Sequence, residues 1–406
     1  MLDSKTTDIV KETAPVLKQH SQQIGKRFYE LLFHKVPDLY NLFNQTNQKR
    51  GIQQEALGYV VYAAGEHITN LESLTPVIRR INEKHRAIGI KAEQYPIVGE
   101  TLLQAVKDVL GDAATDEILD AWGKAYGYIA DVFIRMEQEL YEQTEQQPGG
   151  WAGYRRFIVN KKVQETADVT SFYLKPEDGR PIAACKAGQY LTLKAEIPGE
   201  TYTHIRHYSI SDAPGKSYYR ISAKREDAGA DNPEGIVSHY LHDQVQVGDA
   251  LLFSAPAGDF VLSANTRPVV LISGGIGITP LIGMLNEMVE TQQKREVIFV
   301  HSTANSQTHA FRDHVAMVEQ TSENVRSYAC YSSPTEEDIS AGRFTKKGRI
   351  DLDLLKSLKP ATPANYYLCG SIPFMEGIVK LLHELGVPAE DIHYEAFSPL
   401  AMLEEE

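Results

Sequence analysis

The hydrophobic pattern of this chain changes period twice, and no single-domain fold accommodates both changes. Up to about Glu145, apolar residues recur three and four positions apart with few clustered Gly or Pro breakers, which predicts successive amphipathic helices. The polar cluster Gln146-Gln147-Pro148-Gly149-Gly150 then reads as a linker. From Trp151 to about Ala264, short β-like runs (169–174, 189–193, 208–210, 218–223 and 250–253) are punctuated by Gly and Pro, as in an antiparallel barrel or sandwich. After Arg267 the pattern alternates: strands at 269–272, 297–301 and 366–368, helices at 281–289, 311–319 and 374–385. Such alternation predicts a parallel sheet flanked by helices. The expected organisation is multidomain: an all-α domain over 1–145, an antiparallel β-barrel over 151–264, and an α/β parallel-sheet domain over 265–406.

Composition narrows the function classes. A chain of 406 residues, at roughly 150 per domain, holds two or three domains. It carries 41 basic against 54 acidic residues, a net charge of −13, which argues against nucleic acid as its partner. The N-terminal segment has three ionisable residues in its first ten and no apolar core, unlike a secretory signal. Cys185, Cys330 and Cys369 are too few and too far apart for a disulfide framework or a four-cysteine zinc site, and this usage fits a reducing cytoplasm. The uncharged stretch 268–285 contains four glycines and two prolines, so it parses as strand, turn and helix rather than as a membrane span. A cytoplasmic monomer with no obligatory membrane contact is the expectation.

In the helical region, polar residues fall on faces that should be apolar. Tyr29 shares a stripe with Leu32, Phe33 and Val36; Gln53 with Leu57, Val60, Val61 and Ala64; His85 with Ile78, Ile81 and Asn82. Tyr95 precedes Val98, Leu102, Leu103 and Val106, and Glu137 lies on the face of Tyr126, Ala130, Phe133 and Tyr141. A buried carboxylate is costly without a partner, so five such positions suggest a pocket. Arg79-Arg80 to Lys84-His85-Arg86 forms a locally basic run, either a solvated face or a cradle for an anionic ligand such as propionates.

The run Phe28-Tyr29, Pro37 with Phe43 in the following turn, Gln53, Lys84-His85 and Trp122-Gly123-Lys124-Ala125-Tyr126 resembles the globin domain of the flavohaemoglobins. The resemblance implies haem b, with His85 as proximal ligand of the iron. It places Phe43 on the porphyrin and Tyr29, Gln53 and Leu57 in the distal pocket. Lys84, Tyr95 and Glu137 join Tyr29 and Gln53 as catalytic candidates, Tyr95 and Glu137 forming a proximal relay with His85. A carboxylate that accepts the second imidazole N–H makes the ring more anionic and favours activation of O₂ over storage.

The remaining motifs resemble the ferredoxin-reductase-like flavoproteins in kind and order. Arg206-His207-Tyr208-Ser209 follows Gly188-Gln189-Tyr190, and Gly235-Ile236-Val237-Ser238 precedes Gly258-Asp259-Phe260. The resemblance gives Arg206 the FAD pyrophosphate, Tyr208 the isoalloxazine, Ser209 the flavin N5 region and Tyr190 the cleft wall. His207 joins this set, and the amides of Val237 and Ser238 take further phosphate charge. Ser273-Gly274-Gly275-Ile276-Gly277-Ile278-Thr279-Pro280 directly follows a buried-strand pattern. Thr279 suits an N-cap and Pro280 the first helical position, so a nicotinamide dinucleotide is expected there. Cys369-Gly370-Ser371 resembles the family's Cys-Gly-Pro element and places a thiol by the nicotinamide. Glu395-Ala396-Phe397-Ser398-Pro399 resembles its terminal loop, with Phe397 stacked on the flavin.

Together these features imply a nitric oxide dioxygenase, converting NO and O₂ to nitrate with electrons passing from NADH or NADPH through FAD to haem. The alternatives are an NAD(P)H-dependent ferric or quinone reductase, or an O₂ sensor, with incidental haem. Ser302-Thr303-Ala304-Asn305-Ser306 after the second strand of the last domain carries no cation for a 2′-phosphate, so NADH is the expected donor.

Overall fold

The computed structural model describes residues 2–43, 52–229 and 233–397; the side chains of 52, 53, 55, 56 and 58–60 lie outside that description. The described chain forms two compact units, Met1–Tyr154 with Lys194–Arg206, and Arg155–Leu193 with His207–Glu406.

The first unit is helical: α1 Ser4–Gln19, α2 Ser21–Lys35, α3 Ile52–Glu66, α4 Thr75–Ile88, α5 Tyr95–Leu110 and α6 Asp116–Gln146. The predicted stripes converge on one core, which includes Phe28, Tyr29, Leu32, Phe33, Leu102, Val106, Trp122 and Ala125. Helix ends are set locally. Thr115 caps α6 by accepting from the Ile118 amide at 3.3 Å, and Gly89 ends α4 at φ +91°, a conformation only glycine adopts freely. Segment Lys194–Arg206 joins this unit through Thr203, whose amide donates to Asn41 Oδ1 at 2.9 Å, and through Tyr202, whose ring lies 5.0 Å from that of Tyr40.

Six strands follow: β1 Tyr154–Gln164, β2 Val169–Pro176, β3 Tyr190–Ala195, β4 His204–Ser209, β5 Tyr219–Lys224 and β6 Ala250–Ser254, in sheet order β4-β3-β6-β1-β2-β5. The pairs β1–β2 and β2–β5 are antiparallel. An antiparallel bridge from Ile210, just past β4, to Ile221 of β5 joins the two edges and closes the barrel. The single-turn helix α7, Ile236–His239, packs beside it.

The second sheet holds β7 Val269–Gly274, β8 Val297–Thr303, β9 Val325–Tyr331, β10 Lys346–Lys347, β11 Asn365–Gly370 and β12 Ile392–Ala396, in order β10-β9-β8-β7-β11-β12, its pairings parallel. Its helices are α8 Ile278–Glu290, α9 Arg312–Thr321, α10 Glu336–Ser340, α11 Leu352–Leu358 and α12 Ile372–Glu384. Alternation along β7 explains the two layers. Val269 and Leu271 face α8 and α9 in one core, while Val270 and Ile272 face α11 and α12 in the other. The chain runs outward from β7 to β8 and β9, then returns on the far side as β11. The turn after β7 therefore stands at a topological switch point, where dinucleotides bind. Residues 268–285 form β7, this turn and part of α8, and among the described residues no helix is long and apolar enough to cross a membrane.

Candidate functional site

In the helical unit His85, Tyr95 and Glu137 meet. Glu137 Oε1, on a side chain almost wholly buried, lies 2.7 Å from His85 Nδ1 and accepts from the Tyr95 hydroxyl at 2.5 Å. A carboxylate only accepts, so the imidazole carries its proton on Nδ1. That leaves Nε2 as the basic nitrogen, and it has no hydrogen-bond partner among the described residues. Burial, and then the charge of Glu137, hold the Tyr95 phenol well above its ordinary range, so it acts as a donor.

The scaffold around this triad is over-determined. Asn82 donates to the Phe133 carbonyl at 3.3 Å and fixes α4 against α6. Tyr141 donates to Ile90 O at 2.6 Å, and Tyr126 to Tyr95 O at 2.7 Å. Gly99 makes the last contact reachable: a Cβ there would stand 2.4 Å from the Tyr126 ring. The roles of Tyr126 and Tyr141 were not read from the sequence, although a glycine inside the apolar pattern of α5 is the available signal.

Tyr29 is buried, with Phe43 at 5.5 Å and Phe33 at 5.8 Å between ring centroids, and Leu57 packs against the same core. The Gln53 side chain lies outside the described residues. Lys84 is half-buried. The basic run is not continuous: Arg79 and Arg80 are exposed, but Arg86 turns inward, buried 3.3 Å from Glu83. One turn of helix carries Arg86 onto the α6 side, so it is not part of an exposed cradle.

In the second unit, Tyr190 and His207 lie together, rings 4.8 Å apart, and His207 Nδ1 bonds Thr192 Oγ1 at 2.8 Å. Gly258, at φ +109°, lets its backbone approach the Tyr190 ring to within 3.0 Å of where a Cβ would stand. Ser209 is buried and Tyr208 half-buried. Arg206, in the first unit, donates to Ile205 O at 2.7 Å. Val237 and Ser238 lie in the single turn of α7, and Ser238 Oγ accepts from the Glu226 amide at 3.1 Å and donates to Gly235 O at 2.9 Å. That hydroxyl is committed to the loop, which leaves the backbone for a ligand.

The glycine turn is tighter than expected. Gly277, not Thr279, is the N-cap, and α8 begins at Ile278. Thr279 is buried within the first turn and donates to Ile276 O at 3.0 Å; a short 3₁₀ turn, Gly275–Gly277, starts the helix early. Pro280 therefore sits third in the helix, where its missing N–H is still harmless. A Cβ at Gly277 would lie 2.2 Å from the Cys369 carbonyl, and Gly275 has φ +52°. This packs Gly274 to Pro280 against the end of β11. Gly283 and Asn286 dock α8 on the barrel: a Cβ at Gly283 would stand 2.8 Å from Ile210 O, and Asn286 donates to Asp212 Oδ1 at 2.9 Å.

Cys369 is fully buried beside this turn, opposite Ser273 and Glu395 in register. Burial, then the charge of Glu395, push its thiol well above the ordinary range. Burial likewise pushes Cys185 to about 12 and Cys330 to about 11. Ser371 has φ −66°, the angle a proline ring imposes, so replacing that proline leaves the backbone unchanged. Ala396 is buried, Phe397 is 54% exposed, and Ser398 and Pro399 lie outside the described residues. At the other side of the turn, Ser273 Oγ meets His301 Nδ1 at 2.8 Å, the His301 and His309 rings lie 4.4 Å apart and tilted by 34°, and His309 Nδ1 meets the Tyr331 hydroxyl at 2.9 Å.

Known proteins match this arrangement along the whole chain. The globin family model matches residues 26–133, the oxidoreductase FAD-binding domain 156–262, and the oxidoreductase NAD-binding domain 271–380. The flavohemoprotein of Bacillus thuringiensis subsp. konkukian (strain 97-27) is 54% identical over 405 residues, covering 100% of both chains. That of Bacillus subtilis (strain 168) is 50% identical over 400 residues, covering 98% of each. The crystal structure of flavohemoglobin from Malassezia yamatoensis with bound FAD and heme superposes with a TM-score of 0.86 at 26% identity, covering 98% of this chain and 100% of that one. With a globin, a FAD-binding and an NAD-binding domain in one chain, the protein is an NAD(P)H-linked haem oxidoreductase of the flavohemoprotein family.

Proposed function

We propose that the chain is a cytoplasmic, monomeric nitric oxide dioxygenase that consumes NO, O₂ and NAD(P)H and releases nitrate. The observation that carries this reading is the Glu137 carboxylate, buried and shared between His85 and Tyr95. Burying a carboxylate is worthwhile only against specific partners, and a haem that merely stores O₂ gains nothing from an imidazole made more anionic.

The residues fit the cofactors. The free Nε2 of His85 would hold the haem iron, and Tyr29 with Phe43 and Leu57 would line the pocket, with Gln53 on the same helix as Leu57. Arg206, His207, Tyr208, Ser209 and Tyr190, with the amides of Val237 and Ser238 and the strand end Glu395 to Phe397, would hold FAD. The glycine turn, in which Gly277 packs on the Cys369 carbonyl while Gly275 borders open space, suits a pyrophosphate on the backbone of Gly274 to Pro280. When bound, nicotinamide supplies a hydride, FAD divides its electron pair, and haem binds O₂ and passes single electrons.

The chain's own groups set the conditions. Glu137 and Tyr95 fix the ring and tautomer of His85. The Tyr29 hydroxyl donates a hydrogen bond where negative charge develops on oxygen. The Cys369 thiol stays protonated at the nicotinamide end of the cleft and takes no part as a nucleophile. Each nitrate formed from NO and O₂ requires one electron, so a hydride donor yields two.

The test is nitrate formed per NADH consumed with NO supplied. A ratio near two supports the reading. NADH consumption with ferric or quinone acceptors but no nitrate would make the chain a reductase with incidental haem, and no consumption under either condition would leave an O₂ sensor.

A further inference from the structure

The end of β8 and the loop that follows it, residues 302–306, lie where a dinucleotide-binding sheet meets the adenosine ribose. This segment is tied down from the β9 side. Ser332 and Ser333 donate their amides to Thr303 O and Ala304 O at 3.0 and 2.9 Å. Beneath it sits Asp338, in α10. One oxygen of its carboxylate, Oδ2, accepts from the Ser306 amide at 3.3 Å and the Thr335 amide at 3.0 Å. The residue is wholly buried, and Oδ1 has no hydrogen-bond partner among the described residues.

The charges around it do not cancel. Arg343 Nη1 is 3.9 Å from Oδ1, but its Nη2 donates to Glu337 at 2.6 Å. Glu337, Asp338 and Arg343 together therefore leave one negative charge under the loop. Arg312, at the start of α9, is paired with Asp313 at 2.9 Å. Burial opposes ionisation of Asp338, yet the hydrogen bonds from Ser306 and Thr335 hold its carboxyl down at about 2, so the charge is present at any working pH.

We propose that Asp338 is the residue that selects NADH over NADPH: it positions the 302–306 loop through the Ser306 amide and sets a negative field that rejects a ribose 2′-phosphate. The inference rests on the nicotinamide reading above and deepens it. Asp338 acts through the loop and through space, without touching the dinucleotide. A bare 2′-hydroxyl meets hydroxyl and amide groups at Ser302 to Ser306, whereas a phosphate dianion meets like charge in a poorly screened setting.

Asp338→Asn separates the two roles, because the amide oxygen can still accept from Ser306 and Thr335. The measurement is competition of ADP and of adenosine 2′,5′-bisphosphate against NADH in the reduction of bound FAD by the full-length holoprotein. The wild type is expected to prefer ADP, and raising the salt concentration should narrow the gap. In the variant the preference should fall about tenfold and lose its salt dependence. A preference that does not change, or equal weakening of both inhibitors, would overturn the inference by leaving only a structural role. If Asp338→Asn does not accumulate with FAD, Glu337→Gln serves. It frees Arg343 and should shift the preference toward the bisphosphate, and no shift would equally overturn the claim. Failure of NADH to reduce FAD in the wild type would instead remove the functional reading beneath it.

Discussion

Replacing Glu137 by Gln removes one charge and keeps the shape of the side chain. In the native arrangement one buried oxygen takes hydrogen bonds from His85 at 2.7 Å and Tyr95 at 2.5 Å. Glutamine offers one carbonyl oxygen in the same place, without the charge. A hydrogen bond to a charged group is worth about 1.5–3 kcal/mol and a neutral one about 1, so the imidazole loses on the order of 0.5–2 kcal/mol of its preference for the more positive, oxidised iron. At about 59 mV per tenfold for one electron, the haem potential should rise by roughly 20–90 mV. Tyr95→Phe should move it the other way and less, because the phenol competes with the imidazole for the same oxygen. Spectroelectrochemical titration of both variants reads the shift directly. A potential within about 10 mV of the wild type in haem-replete Glu137→Gln would refute the proposed coupling between this carboxylate and the iron.

His85→Ala should yield protein that retains FAD but lacks the Soret band, and a Soret band at full stoichiometry would assign the iron to another residue. Tyr29→Phe should speed O₂ dissociation by about tenfold to a hundredfold, the worth of one hydrogen bond to a partly charged oxygen; stopped-flow ligand exchange reads it. Gly277→Ala forces a methyl group to where the Cys369 carbonyl stands at 2.2 Å, so the turn must shift. A cost of about 1–3 kcal/mol in stability and a raised KM for NADH should appear, in thermal unfolding and steady-state assays respectively. Burial, and then Arg312, lower His309 to about 4, and burial with His309 lowers His301 well below its usual value. Since unfolding restores ordinary imidazoles near 6.5, the stabilisation is complete above that pH. It is lost as pH falls toward 4, by up to about 3 kcal/mol for His309 alone. Unfolding midpoints measured across this window should be less steep in pH for His309→Gln.

The parts that were legible in the sequence are those in which a side chain's position follows from periodicity alone. His85 and Glu137 each break an apolar stripe, and the helices bring those stripes face to face. Gly274 to Gly277 were legible because only a backbone that must pass close to something needs so many glycines. Other features depend on register or on distant chain. β1, the longest strand, went unread because a bulge between Val159 and Lys161 shifts its register and erases the strict alternation. Its Lys162 is half-buried, with its amine donating to the carbonyls of Leu241, His242 and Val245, an environment made wholly by residues some eighty positions away. Thr279 looked like a cap because its type and its proline neighbour suit one, but the 3₁₀ turn before it, packed on Cys369, had already started the helix. Arg86 looked like part of a basic face, and its Glu83 partner one turn earlier decides otherwise. Asp338 reads locally only as the third residue of a capping box begun by Thr335; the Ser306 amide that it also accepts is contributed by a loop after a different strand.

The burial of the thiols has a consequence for their reactivity toward nitrosating and alkylating reagents. Nitrosating and alkylating reagents attack thiolate, and Cys185, Cys330 and Cys369 are all held protonated at neutral pH by burial. In the folded protein these thiols are therefore slow to react, and any modification of these cysteines records a moment when the structure was open. Cys330 on β9 and Cys369 on β11 sit on opposite sides of β7 and β8 in the same sheet. Their labelling rates under native conditions thus form a pair of clocks, one for each flank of the nicotinamide sheet, and the difference between them measures whether that sheet opens as one cooperative piece or frays from one side.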